Sequence, residues 1–461
     1  MRLTFHLSSY LGLLLAANTA AALTLDPGTS SRIATARQQI AKNPAQPDGY
    51  TLLALSLVKA ARETDCPDHL KQAEQAVANA FRIAPGDFEA SKAQVALLLA
   101  QARYEDALAE AKGLNQRVPD DNLLYGYLAD AQMALGDYAS AEKSVQRMID
   151  QRPVNAPGFE RGAQLRDDFG YGGPSLEWWN SALRITSPWD VEERAWILTN
   201  MSRVALRMGK AAEAQKSARQ ALELVAGYPL ANDALAAAML EQGQAGGAAV
   251  VLRRRLDVLP DGCGSETRVL PSRDRKGANA PSLETLCLNA AAGVRAEFHL
   301  AEALERAGQN AEAAAAFAQF EKDALVGTSQ PDNANRELIE YFAAHQRAPE
   351  AVKEAVKLGQ REAQRRQDIF TLSAYAQALA AAGDYVQARI QIEVALDPGI
   401  RDAGLFLQAG LIAAKLNDVD SALNYLRKAV EINASSTEAA QALELLANIQ
   451  NNSTNSRFIH R

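Results

Sequence analysis

A chain of 461 residues would ordinarily divide into two or three globular domains, but 48% of it is apolar and only 6% aromatic, with the excess carried by alanine and leucine, which favours closely packed helices over strands. The formal net charge of -7 is spread without acidic or basic blocks, so the electrostatic footprint of a nucleic-acid binder is missing. Beyond the first residues no stretch is apolar over the roughly 20 positions a bilayer span requires, and no membrane insertion of the mature chain is expected.

Residues 1–22 read as a secretory signal. Arg2 supplies a positive start, Leu7 to Ala17 a short apolar stretch, and Ala20, Ala21 and Ala22 a small-residue cleavage site. The mature chain is expected to begin near Leu23 and to be periplasmic or secreted, and residues 23–47 are assigned an N-terminal capping helix. The signal style and the alanine content suggest a bacterial source.

From residue 48 onward the sequence repeats itself. The segment Ala102-Arg103-Tyr104-Glu105-Asp106-Ala107 returns as Leu135-Gly136-Asp137-Tyr138-Ala139-Ser140-Ala141, with Ala107 and Ala141 34 residues apart. Extended both ways, the anchors are Ala73, Ala107, Ala141, Ser175, Ala214, Ala248, Ala313, Ala351, Ala388 and Ala422, which gives ten repeats. Before each turn an apolar stripe recurs at helical spacing, as in Tyr125, Leu128, Ala129 and Gln132. The turn carries a glycine, as at Gly136, Gly209, Gly243, Gly308 or Gly383, able to take the left-handed conformation that ends a helix. A small residue then opens the second helix where the pair approaches closest, and Pro85, Pro119, Pro153 and Pro260 stop it.

This phase-locked alanine, turn and proline resembles the tetratricopeptide repeat family, in an exported bacterial member, over roughly residues 48–450. The resemblance implies an all-α, right-handed α-solenoid of about ten helix-turn-helix repeats, with a protein or peptide bound in the concave groove lined by the first helix of each pair. The N-terminal block of repeats is placed at 48–260, an inserted loop at 261–285, the C-terminal block at 286–434, and a capping helix with a polar, frayed tail at 435–461. Cys263 and Cys287 flank the loop and are either bridged to each other or, with Cys66, free thiols.

Two regions are candidates for binding. The first holds Trp178, Trp179 and Trp189, which with Trp196 are all four tryptophans of the chain. They read either as an interface patch or, preferably, as aromatics that repair the core of a divergent repeat with Gly170-Tyr171-Gly172-Gly173 at its turn. The second is Trp196, Asn200, Arg203 and Arg207, whose spacings of four, three and four put them on one helix face. The resemblance places Trp196, Arg203 and Arg207 at groove positions, where an aromatic ring beside two guanidinium groups suits a carboxylate. A solvated helix flank is the competing and preferred reading, and Glu160, Gln164, Asp167 and Asp168 of the preceding repeat are placed to neutralise the arginines. Family members that hold chaperone tails pair a lysine with an asparagine, but here Lys92 is followed by Ala96 where the asparagine belongs.

Catalysis finds no support. The motifs for zinc proteases, serine hydrolases and phosphate loops are missing, and Asp65-Cys66-Pro67-Asp68-His69 reads as the turn opening a second helix, not as a metal site. No cofactor or metal is expected. The run Arg253-Arg254-Arg255 is expected on a solvated face. The function expected is a non-enzymatic exported scaffold that binds a protein or peptide and assists assembly of an envelope or export complex. The alternative is a carbohydrate-handling accessory protein that uses the tryptophan-rich region.

Overall fold

The computed structural model describes residues 25–257, 290–346, 348–434 and 436–459, and among these every regular element is a helix. Helix α1 (Pro27–Lys42) stands alone, its N-terminus capped by the Asp26 carboxylate, which accepts from the Gly28 and Thr29 N–H groups. Pairs follow: α2 (Asp48–Thr64) with α3 (Pro67–Ile83), α4 (Phe88–Ala100) with α5 (Tyr104–Arg117), and α6 (Asn122–Leu135) with α7 (Tyr138–Gln151). Next come α8 (Ala156–Asp168) with α9 (Gly172–Ile185), α10 (Val191–Arg207) with α11 (Ala211–Leu224), and α12 (Pro229–Glu241) with α13 (Ala245–Asp257). After residues 258–289 the pairs are α14 (Ala290–Arg306) with α15 (Asn310–Val326), and α16 (Asn335–Tyr341) with α17 (Pro349–Arg365). The last are α18 (Ile369–Ala381) with α19 (Tyr385–Leu396) and α20 (Ala403–Lys415) with α21 (Val419–Ile432), closed by α22 (Thr437–Ile459). We number the pairs as repeats 1 to 10 and call the two helices of each A and B.

The anchor residues explain the period. Ala73, Ala107, Ala141, Ser175, Ala214, Ala248, Ala388 and Ala422 all open a B helix with no exposed surface, so helix A meets helix B where only a methyl or hydroxymethyl group fits. Ser175 keeps its hydroxyl satisfied by donating to the Ala163 carbonyl at 2.8 Å. Ala351 is only half-buried, because in repeat 8 the turn is different. In nine repeats helix A ends on a left-handed residue, namely Asp65, Ala102, Gly136, Gly170, Gly209, Gly243, Gly308, Gly383 or Asn417. Repeat 8 instead passes through a π-helical segment, Phe342–Gln346. At the other end of the unit α3, α5 and α7 stop just before Pro85, Pro119 and Pro153.

Stacked pairs coil, and here the coil closes on itself. The Gln367 N–H, in the connection after repeat 8, donates to the Leu135 carbonyl in the turn of repeat 3 at 3.1 Å. One repeat further on, the Arg401 N–H donates to the Phe169 carbonyl in the turn of repeat 4, again at 3.1 Å. The Asn433 amide reaches the Arg207 carbonyl of repeat 5 at 3.4 Å, and Arg255 at the end of repeat 6 reaches Asp65 in the turn of repeat 1 at 2.7 Å. The turn of repeat 2 and Pro331, after repeat 7, line one cavity of about 210 Å³. The turn of each of the first five repeats therefore meets the connection five repeats later, and two superhelical turns lie edge to edge. The apolar core crosses this seam, with Met133, Tyr138 and Leu165 packed with Ile369, Leu372 and Ile400. Each such side chain withdrawn from water contributes about 1.5–3 kcal/mol.

Several expectations are corrected. Arg255 is not on a solvated face: it is buried and paired with Asp65 and Asp233. The C-terminal residues assigned to a frayed tail continue α22 to Ile459, since nothing between Thr437 and Ile459 is a glycine or proline. The 1–22 signal and both Cys263 and Cys287 lie outside the described residues. Cys66, which is described, is in a disulfide.

At Gly136 an added Cβ would stand 2.4 Å from the Gln367 carbonyl oxygen and at Gly170 2.0 Å from that of Arg401, whereas at Gly383 it meets nothing within 4 Å. Gly136→Ala and Gly170→Ala are expected to lower stability by about 2–4 kcal/mol, left-handed strain plus a backbone clash, and Gly383→Ala by about 1 kcal/mol, strain alone. Urea unfolding checks this. Equal losses at all three sites would show that the seam does not depend on its turns.

Candidate functional site

The A helices of distant repeats face one another and form the inner wall of the coil. Repeat 1 meets repeat 5 there through charge. Arg62, in the last turn of α2, donates to Glu192 from Nε at 2.9 Å and from Nη2 at 2.6 Å, and to Glu193 at 2.7 Å. Lys59 reaches Asp190 at 2.6 Å and the Tyr228 hydroxyl reaches Glu192 at 2.9 Å. Basic residues at the C-terminal end of α2 and acidic ones at the N-terminal end of α10 also suit both helix dipoles. Burial opposes ionisation of Glu192, but Arg62 and Lys59 outweigh it and hold its carboxyl below the ordinary range.

The four residues predicted on α10 do share that wall, yet they do not act alike. Asn200 is buried and spends its amide on the Trp196 carbonyl at 2.9 Å. Trp196 is half-covered, with the Arg62 guanidinium 5.0 Å from its ring centre. Arg207 is neutralised as anticipated, by a bidentate pair with buried Asp167 whose Nε–Oδ1 arm is 3.1 Å. The Arg203 guanidinium, by contrast, makes no hydrogen bond or ion pair to a described residue. It is accessible to solvent but walled in, and this desolvation, opposed by Asp233, lowers its pKa from the ordinary value. With Leu206, Asp233, Leu240 and His299 it lines a cavity of about 190 Å³.

Sequence reasoning missed Phe370 and Arg336, which belong to repeats 9 and 8. Phe370 is partly exposed on this wall, with the guanidinium carbons of Arg207 and Arg336 at 5.9 and 5.8 Å from its ring centre. Among the described residues, the ion pair of Arg336 is with its neighbour Glu337, at 4.0 Å. These residues come together across the seam, so no spacing within one repeat announces them.

Trp178, Trp179 and Trp189 do not share one surface. Trp179 is almost wholly buried against Ala163, Ala182, Ile197 and Val204. Trp178 packs edge-on to Phe159 at 5.6 Å and lies so close to Gly162 that a Cβ there would meet its ring at 2.2 Å. Gly162 leaves room for the Trp178 ring, and of the three only Trp189 stands fully in solvent. Lys92 is likewise committed, to Asp121 at 2.7 Å.

No group of three or more histidine, cysteine or acidic residues among the described residues could hold a metal ion, and no described helix is long and apolar enough to cross a membrane.

These pairs define the class of the fold, an all-α solenoid of helix-turn-helix repeats. Residues 403–436 match the family model described as Tetratricopeptide repeat, and the same unit recurs through the described chain. Residues 403–436 are thus a tetratricopeptide repeat, and the array of like helix pairs is a scaffold of a kind suited to protein–protein interaction. Among solved structures it is similar to the hetero-tetramer of the anaphase-promoting complex proteins Cut9 and Hcn1, at 11% identity and a TM-score of 0.41, over 89% of this chain and 57% of that one. It is also similar to the thermophilic TPR protein TTC0263 of Thermus thermophilus, at 18% identity and a TM-score of 0.35, over 46% of this chain and 99% of that one. A third is the human IFIT1 dimer with m7Gppp-AAAA, at 13% identity and a TM-score of 0.46, over 80% of this chain and 77% of that one. No curated protein matches the chain in sequence.

Wall carboxylates titrate near neutrality. Burial, then repulsion from Glu193, pushes Glu160 up to about 8. Burial, with Asp368 adding to it, pushes Asp168 up to about 7. A carboxyl whose folded pKa lies above its unfolded value binds more protons folded than unfolded between the two values. Thermal stability is therefore expected to fall as pH rises from about 5 to about 9, and Glu160→Gln to lessen that fall while leaving the melting temperature near pH 5 unchanged. Melting curves across that range check both, and a stability that rises with pH there would contradict the assignment.

Proposed function

We infer that the chain is a non-enzymatic, exported scaffold that holds an acidic protein or peptide segment against the inner wall of its coil. The observation that carries this reading is Arg203, a guanidinium with five donors and no partner among the described residues, set in a walled cavity between repeats 5, 6 and 7. A carboxylate is the planar acceptor that matches such a fork. Phe370, with the Arg336 guanidinium 5.8 Å from its ring centre, offers a ring beside further positive charge for a neighbouring side chain of the same segment.

Export is supported by the pattern of Arg2, Leu7 to Ala17 and Ala20 to Ala22, and independently by the disulfide at Cys66, since such bonds persist in oxidising compartments. The carbohydrate reading is not favoured, because Trp178 and Trp179 are taken up by the core.

Arg203→Ala is expected to weaken binding of acidic peptides selected on the full chain by at least about tenfold, as for a central arginine of an interface, while leaving the circular dichroism spectrum unchanged. Fluorescence anisotropy with labelled peptides measures this. Undiminished binding by the variant, or selection that returns only basic peptides, would remove the site. N-terminal sequencing of protein recovered from the envelope fraction tests export, with Leu23 or a near neighbour expected first.

A further inference from the structure

The seam is made of two kinds of edge, and each superhelical turn has one of each. Left-handed turns of repeats 3 and 4 offer the carbonyl just before the glycine, at Leu135 and Phe169. Connections of the second superhelical turn answer with the N–H just before the cap of the next A helix, Gln367 before Asp368 and Arg401 before Asp402. Among the described residues, stacking these edges leaves the other two uncovered, which are the connections of repeats 1 to 5 and the turns of repeats 6 to 10.

Both uncovered edges keep the features of the covered ones. Gly243, Gly308 and Gly383 hold φ of +72°, +74° and +81°, against +84° at Gly136 and +76° at Gly170, and a Cβ on any of the three meets nothing within 4 Å. The carbonyls before them, of Gln242, Ala307 and Ala382, accept no hydrogen bond from a described residue. On the opposite edge, the positions equivalent to Gln367 and Arg401 are Val154, before the cap Asn155, and Trp189, before Asp190. These are the two most exposed large apolar side chains among the described residues, at 74% and 88%. The Val154 N–H makes no hydrogen bond to a described residue, whereas the Trp189 N–H donates to the Ser187 hydroxyl at 3.2 Å. Large apolar groups thus stand in water at the backbone position that is stacked on the covered edge.

We propose that the occupant of this surface is a second copy of the chain, whose turns at repeats 6, 7, 9 and 10 seat on the connections of repeats 3 and 4 and their neighbours as the chain's own second superhelical turn seats on its first. The interface inside one molecule is thereby continued between molecules. Because the two edges differ, the contact is head to tail and does not close after two copies, so chains add in a row. This assembly is separate from the inner wall, where the peptide segment is held.

Sedimentation velocity of the full chain over a concentration series is the test. A weight-average mass that climbs to about twofold or more above one chain is expected at the highest concentrations. Val154→Asp with Trp189→Asp is expected to return the mass to one chain, as is Ala382→Arg on the opposite edge. All three positions are exposed, so the fold is retained. An equimolar mixture of the two variants keeps one intact edge of each kind and is expected to stop at two chains. Val394→Asp, on the outer face of α19, is expected to leave assembly as it was. A single-chain mass at every concentration, assembly indifferent to both edge variants, or a mixture that stays at one chain would each overturn the proposal.

Discussion

The hydrogen bonds from Gln367 and Arg401 to the turns of repeats 3 and 4 set the arrangement on which the rest depends. A left-handed glycine lets the carbonyl before it point out of the edge of the coil, and the absent Cβ lets another backbone come within contact of it. Because consecutive repeats make the same contact, the rotation per repeat is held at the value that brings the turn of one repeat against the connection five repeats on. That same rotation places α2 opposite α10, so Arg62 and Lys59 find Glu192 and Asp190, and carries Phe370 between Arg207 and Arg336. The inner wall is a product of the seam.

Charge on that wall is mostly spent internally. Pairs such as Arg255 with Asp65 and Asp233, or Arg207 with Asp167, bury ions whose desolvation opposes folding, so their worth is in fixing which surfaces meet more than in net stability. Against this background Arg203 differs, since its charge is walled in without a matching carboxylate in contact. Trp189 lies on the edge and Arg203 on the wall.

The repeat was legible in the sequence because its causes are local. An alanine at the A–B crossing, a left-handed turn and a proline after helix B each act within a few residues, and Ala107, Gly136 and Pro119 show their roles without reference to the rest of the chain. The superhelix was not legible, because it is the sum of small rotations. Gly136 and Gly383 look alike in sequence, yet one is covered and the other open. Arg255 reads as part of a solvated basic run until α2 is brought against it. Trp178 and Trp179 could be a patch or a plug, and only the space above Gly162 decides. Of the α10 set, which arginine keeps its charge free depended on Asp167 facing Arg207 and no acid facing Arg203 as closely.

The bond between the Ile369 N–H and the Tyr138 hydroxyl joins residues 231 positions apart. Stacked repeats ordinarily touch only their neighbours, so they melt and form in segments, with stability growing as a sum along the array. Here an end repeat cannot fray without exposing its counterpart five repeats away, and a break in the middle is restrained from the side. The chain trades the rapid, local folding of a linear array for late, long-range closure, which slows folding and makes unfolding a single event for both turns. In that respect a protein built from one short repeated unit acquires the cooperativity of a globular domain.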